Sequence, residues 1–261
     1  MPMKKLCIYA NCQGRGVSYF LSKTSFIERF EIRLHENYRI ILNETSPDAL
    51  MADAANCDVF LYQPMSAQKH GMLSTEEMIA NVVPKSAMKL AWSYQFNHGF
   101  FPICKYGSWH TGNEVMYMAQ NSIESKHLVS LYESDVLSFD CARRFAECLA
   151  EQARREETCD IKLVSWILQN FQTKHLFTMV NHPASELFVE IVRRILKAVD
   201  IPCGEIPILS ANESCLPGYH AVHPAVVREL GLKYPIPQSD GADANFYRVL
   251  IEELQRTKGV I

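Results

Sequence analysis

A cysteine stands where a short apolar run breaks into a glycine-rich turn, Asn11-Cys12-Gln13-Gly14-Arg15-Gly16, and an amphipathic segment (Val17, Tyr19, Phe20, Leu21) follows. The run before it, Leu6 to Ala10, reads as a buried β-strand, so the unit is strand–turn–helix with a thiol at the turn. A helix N-terminus offers unpaired N–H groups and a partial positive charge. These favour a thiolate and can hold phosphate, so a lowered thiol pKa is expected at Cys12. The plain alternative is a strand ending in a glycine turn with a buried, inert cysteine. A second group, His182, sits in Asn181-His182-Pro183 ahead of another helix. A thiol at one helix N-terminus and a histidine at a second are the minimum for nucleophilic catalysis. Backbone N–H groups near Gln13-Gly14, or the amides of Gln13 and Gln63, could stabilise an oxyanion. For His182 the alternative is a helix-start histidine bonded to backbone. His98, beside Gly99 in an aromatic loop, suits packing or substrate contact.

The elements that must position these residues follow from the apolar pattern. Cys57 to Tyr62 reads as a third buried strand that ends at Gln63-Pro64, where proline cannot continue a central ladder. Met88 to Ser93 reads as a fourth, and His175 to Val180 as a fifth running straight into Asn181-His182. A second strand is expected around Arg39 to Leu42. Helices are expected over 45–56, from a capping box at Ser74-Thr75-Glu76-Glu77 to about Asn81, over 135–157, over 224–230 and over about 243–256. Thr111-Gly112-Asn113-Glu114 is another capping-box candidate, and Asp160 is a candidate cap for the helix holding Val164, Ile167 and Leu168. Leu187, Phe188, Ile191, Val192, Ile195, Leu196 and Val199 form one stripe, with Pro183 suited to its first turn. Strands alternating with helices imply a small parallel sheet in a helix-rich surround, an α/β fold, with a helical insertion over about 111–173. Ligands of such sheets bind beyond the carboxyl ends of the strands. Cys12-Gln13, Gln63, Gln95 with His98, and Asn181-His182 are all expected on that edge.

Composition narrows the classes. The 261 residues carry a net charge of −3 and are 48% hydrophobic, which fits a single globular domain over 1–261 and argues against a nucleic-acid binder. No apolar run approaches the ~18 residues of a membrane span, and the opening MPMKKLCIYA is too short in apolar residues for a signal peptide. Nine cysteines, an odd number without C-x-x-C spacing, suit reduced thiols in a cytoplasmic protein. His220 and His223 could pair on a metal, but no nearby ligand has the spacing, so no metal is expected. Arg143, Arg144, Arg154 and Arg155 read as a solvated helix face. Ser18 stands where a cysteine phosphatase needs arginine. The third glycine of a dinucleotide fingerprint, a P-loop and a G-x-S-x-G elbow are all missing.

Three motifs in order resemble the WcbI family of capsular polysaccharide biosynthesis acetyltransferases. They are Asn11-Cys12-Gln13 after the first strand, Cys57-Asp58 with Tyr62-Gln63-Pro64 about the third, and Asn181-His182-Pro183 before an amphipathic helix. The resemblance spans roughly residues 5 to 232. It implies a fold of the Ser-Gly-Asn-His esterase type, acetyl-coenzyme A as donor, and a sugar hydroxyl of capsular or other surface polysaccharide as acceptor. It puts the family's cysteine on Cys12 and its post-strand histidine on His182, while His223-Pro224 departs from the family's pattern. Gln13, Gln63, Asn181 and His98 are then candidates for oxyanion or substrate positioning. Asn11, Gly14 and Arg15 are candidates for coenzyme A, with Arg15 on a phosphate and the aromatic stretch Tyr94 to Phe101 along the pantetheine arm. Either Cys12 takes the acetyl group and passes it on, or His182 deprotonates the sugar for direct attack on the thioester. An esterase-like acyl hydrolase and a non-catalytic subunit of a polysaccharide assembly complex are the other readings.

Overall fold

The structure, a computed structural model, describes residues 2–102, 127, 130, 138–209, 215–216 and 222–236. Its chain contacts fall into two compact units. The first comprises 1–95, 151–168 and 183–217, and the second 96–150, 169–182 and 218–261.

The first unit is built on a four-stranded parallel sheet: β1 (Lys4–Ala10), β2 (Phe30–Glu36), β3 (Val59–Tyr62) and β4 (Met88–Ala91), in the order β2-β1-β3-β4. The central strand β1 is apolar without alternation because both of its faces are covered. Cys7 and Tyr9 face a cluster with Ile40, Leu50, Ala54, Phe60 and Met78. These come from β3 and the helices α2 (Asn37–Ile41), α3 (Asp48–Ala55) and α5 (Thr75–Asn81), α4 being Ala67–His70. On the opposite face, Ile8 and Ala10 lie under helix α1 (Gln13–Leu21). Ser74 caps α5 by accepting from Glu77 N (3.1 Å), as its capping-box spacing predicts.

The second strand is not where Ile40, Ile41 and Leu42 suggest. It is Phe30–Glu36, and residues 37–41 are α2. An edge strand needs only one apolar face, so its signal is the alternation Phe30, Ile32, Leu34 against Glu31, Arg33, His35 rather than an apolar run. Asp160 does not cap the helix after it. Its carboxylate accepts from Ala91 N (2.8 Å), and an isolated parallel bridge pairs Trp92 with Ile161, extending the sheet edge beyond β4. The cap is Glu156, whose carboxylate accepts from Leu163 N (2.7 Å) and Val164 N (3.1 Å). Glu156 ends α6 (Cys141–Glu156), and α7 is Val164–Asn170. Both lie in the expected helical insertion; its remainder up to 137 apart from residues 127 and 130, the Thr111 capping box and the helix over 243–256 lie outside the described residues.

The fifth strand does not join the sheet. β5 is only Phe177–Met179 and pairs with the two-residue β6, His182–Pro183. Pro183 therefore precedes the next helix rather than opening it: Ala184 is the N-cap and α8 runs Ser185–Ala198. The α8 stripe is buried from Leu187 to Leu196, each such side chain contributing about 1.5–3 kcal/mol. It packs on α1, with Phe188 stacked on Phe20 at 6.0 Å between centroids.

That contact explains Gly16. A Cβ there would lie 2.3 Å from the Phe188 ring. Gly16→Ala is expected to cost about 1–3 kcal/mol in urea unfolding, part of it recovered by Phe188→Leu in the same chain. Unchanged stability of the single variant would contradict the close approach.

Candidate active site

The strand order makes the crevice. β1 lies between β2 and β3, so the connections leaving β1 and β3 diverge and open a cleft at their carboxyl ends. The two residues that follow these strands are the ones singled out by type, Cys12 and Gln63. Gln63 N continues the ladder by donating to Tyr9 O (3.1 Å).

Cys12 is the N-cap of α1 but makes no side-chain cap bond. Asn11 does that work: its Oδ1 accepts from Gln13 N (2.9 Å), and its carbonyl accepts from Gly14 N (2.9 Å). The half-buried thiol sits at the turn.

Behind the turn runs a chain of buried amides. Gln63 Oε1 accepts from Asn11 N (3.1 Å), and Gln63 Nε2 donates to Gln13 Oε1 (3.1 Å). Gln13 Nε2 donates to Gln95 O (2.6 Å), and Gln13 Oε1 also accepts from Gln95 N (3.1 Å). Gln95 Nε2 donates to Ser93, and Gln95 Oε1 accepts from Gln152 Nε2 (3.1 Å). Gln13, Gln95 and Gln152 are wholly buried. The structure thus brings together Asn11, Cys12, Gln13, Gln63 and Gln95 on one sheet edge. In the chain, Gln13 and Gln63 are first of all partners of each other.

Gly14 is a packing residue, since a Cβ would meet Leu34 at 2.8 Å and Ala10 at 3.2 Å. Arg15 reaches Glu36 (2.6 Å) and the Tyr38 hydroxyl (3.2 Å), and that hydroxyl donates to Glu36 Oε1 (3.0 Å). This group lies close enough to the thiol to act on it. Sequence reasoning missed Glu36 and Tyr38 because it set the second strand too late. Gln152 carries no motif at all.

The expected lowering of the Cys12 pKa is reversed. Burial pushes the thiol above the ordinary cysteine range, and Glu36 pushes the same way. Arg15 and the backbone N–H groups of Cys12 and Gln13 pull it down but do not win.

The other candidates belong to the second unit. His98 N donates to Cys148 Sγ (3.4 Å), and the His98 ring meets Phe96 edge-on at 6.0 Å. Asn181 and His182 are half-buried, and the His182 carbonyl accepts from Thr178 Oγ1 (3.4 Å). Because β5 is not a strand of the main sheet, these two do not reach its edge by the route the sequence suggested. His223 caps α9 (Pro224–Leu230): its Nδ1 accepts from Ala225 N (3.0 Å). His220 lies outside the described residues.

The model of the polysaccharide biosynthesis enzyme WcbI matches residues 5–203 of the chain. The chain belongs to the WcbI family. Its members are polysaccharide biosynthesis enzymes. Among solved structures the fold is similar to that of WcbI, described as a novel polysaccharide biosynthesis enzyme. That structure is of the native protein without the disulfide bond between coenzyme A and one of its cysteines. The two are 20% identical, with a TM-score of 0.74 over 99% of this chain and 92% of that one. No curated protein matches the chain.

For this WcbI-family member the electrostatics of the turn give a direct test. Alkylation of Cys12 by iodoacetamide, followed on its peptide by mass spectrometry, is expected to have a pH midpoint above that of the unfolded chain. Glu36→Gln removes one cause of the rise, so the midpoint falls and the neutral-pH rate increases by up to about tenfold. A wild-type midpoint below that of the unfolded chain would contradict the balance.

Proposed function

We propose that the protein is a coenzyme A-dependent O-acetyltransferase that acetylates a sugar hydroxyl during the biosynthesis of a capsular or other surface polysaccharide. The observation that carries this reading is the half-buried Cys12 thiol at the β1/β3 crevice. The WcbI relative, whose structure is described as being without the disulfide bond between coenzyme A and one of its cysteines, supports it.

The residues around the thiol suit the donor. Arg15 and Arg39 both flank the Glu36 carboxylate, Arg39 Nη1 at 3.8 Å, and both guanidinium side chains are 42% exposed. Arg39 also reaches Glu44 (Nε to Oε2, 3.3 Å), so the two guanidiniums lie between two carboxylates with part of each fork exposed, and guanidinium forks bind phosphate well. Arg15 and Arg39 would hold the phosphates, with the Tyr38 hydroxyl beside them. When bound, acetyl-coenzyme A supplies an acetyl group on a thioester of ordinary reactivity. Asn11 and Gly14 serve this end of the site indirectly, by fixing the turn.

Cys12 is the acetyl acceptor. Its sulfur forms the new thioester bond as the donor's carbon–sulfur bond breaks, and the thiol proton passes to the departing thiolate. Thiol-to-thiol transfer is nearly balanced, and a thiolate of raised pKa is rarer but more nucleophilic. The sugar hydroxyl then attacks the acetyl-cysteine and gives its proton to a general base. His182 is proposed for that role, with Asn181 and His98 as positioning groups, since an imidazole can accept a proton and return it. The donor and the odd set of thiols suit the cytoplasm. Among the described residues no helix is long and apolar enough to cross a membrane.

Saturating coenzyme A is expected to raise the melting temperature, since a ligand at a hundred times its Kd adds about 2.7 kcal/mol. Arg15→Ala weakens that shift. His182→Ala lowers turnover by about 10²–10⁴-fold with the shift intact. No shift and no calorimetric heat with coenzyme A would overturn the reading.

A further inference from the structure

Beyond the carboxyl ends of β3 and β4 the first unit carries a cleft of about 700 Å³, within the range of ligand-binding pockets. Tyr62, Gln63 and Pro64 form one wall, and Ser93 and Tyr94 another. The rim comes from α4 and α5 on one side and from the last turn of α6 with the residues after it on the other. The cleft is joined to the turn that holds the thiol. Gln63 lines it and at the same time accepts from Asn11 N, the residue before Cys12.

Its charges are nearly balanced. Lys69, Arg154 and Arg155 line it, and so do Glu76 and Glu157. Glu151 holds both guanidiniums: Arg154 through Nε and Nη2 at 2.8 Å each, and Arg155 through Nε at 2.7 Å. These bonds hold the Glu151 carboxyl at about 2. Glu76 in turn accepts from Ala67 N (2.9 Å). Three cations therefore meet three carboxylates, and Arg154, Arg155, Glu151 and Glu76 are fixed in place by local bonds.

Such a surface offers no net field to a polyanion such as the nucleotide end of coenzyme A. It offers a polyol both charge-assisted donors and charge-assisted acceptors. The faces of Tyr62 and Tyr94 add partly exposed π surfaces with negative charge toward the ring normal, which attract the weakly positive C–H face of a pyranose. Arg15 and Arg39, by contrast, gather on the β2 side of Cys12. The sheet edge is divided, with two partly exposed guanidiniums held by Glu36 and Glu44 on one side of the thiol and a balanced, tyrosine-walled cleft on the other.

We propose that the cleft lined by Tyr62, Gln63, Tyr94, Lys69, Arg155 and Glu157 is the seat of the acceptor, an uncharged polyhydroxylated saccharide ring, which enters from the β3/β4 side while the donor occupies the β1/β2 side. The assignment rests on the acetyltransferase reading for its role in the reaction, but not for the binding itself.

Saturation-transfer NMR on the full chain tests it, with the methyl glycosides of glucose, mannose and galactose as probes, alone and with saturating coenzyme A. Saturation is expected on the ring protons of at least one probe, and coenzyme A does not displace it. Tyr94→Ala weakens the binding by about tenfold or more. Glu157→Gln, an exposed change that leaves the fold intact, weakens it as well. Glu157→Gln keeps the wild-type melting shift with coenzyme A. No transfer to any probe, displacement by coenzyme A, or a smaller coenzyme A shift in Glu157→Gln would overturn the assignment. Saccharide binding without any coenzyme A shift would sustain the cleft and overturn the acetyl-donor reading instead.

Discussion

A primary amide buried without partners loses about 1–3 kcal/mol for each unsatisfied group, so a side chain such as Gln13, wholly out of water, must be held from several directions at once. Gln63, Gln95 and Gln152 do this. The resulting chain crosses the carboxyl ends of β1, β3 and β4 and reaches the last turns of α6. Because Gln63 also accepts from Asn11 N, the turn carrying Cys12 cannot shift without breaking bonds that water cannot replace. This polar network, together with the apolar packing of α1, holds the turn. Its members face both the thiol turn and the cleft beside β4, which is why both regions keep a fixed relation to the sheet.

The same turn shows how local electrostatic rules compete. A helix N-terminus favours a thiolate through its unpaired N–H groups, but at α1 Asn11 takes that of Gly14 and shares that of Gln13. What remains is set against burial and against the Glu36 carboxylate. Desolvation is the largest cause and the thiol stays protonated. A resting thiol of this kind is protected from chance oxidation, and its reactivity is then governed by what binds beside it.

Much of the fold was legible because the pattern and the physics agreed. The apolar runs at Leu6 to Ala10 and Val59 to Tyr62 are strands because their sheet is covered on both faces. Ser74 caps α5 as its spacing requires, and the α8 stripe is buried as its period predicts. The convergence of Cys12, Gln13, Gln63 and Gln95 followed from a rule about parallel sheets and needed no motif. The errors also have causes. Phe30–Glu36 alternates because it is an edge strand, and the apolar Ile40-Ile41-Leu42 beside it drew the assignment away, hiding Glu36 and Tyr38. The run around Phe177 is apolar because it is buried, yet it pairs with His182–Pro183 and not with the sheet. Asp160 and Glu156 are both plausible caps by type; which one reaches Leu163 N and Val164 N depends on tertiary placement alone. Gln152 lies in a charged helix, and nothing in its neighbours marks it as the partner of Gln95.

The central claim is that the acetyl group passes through one sulfur among nine cysteines. Intact-protein mass spectrometry after mixing the chain with acetyl-coenzyme A, in the absence of any sugar, measures this directly. The account predicts a single added acetyl group, mapped to the peptide containing Cys12 rather than to the exposed Cys203, and its loss in Cys12→Ala together with most of the turnover. An unmodified wild-type protein, or a Cys12→Ala variant that still transfers acetyl groups at a near-normal rate, would contradict it.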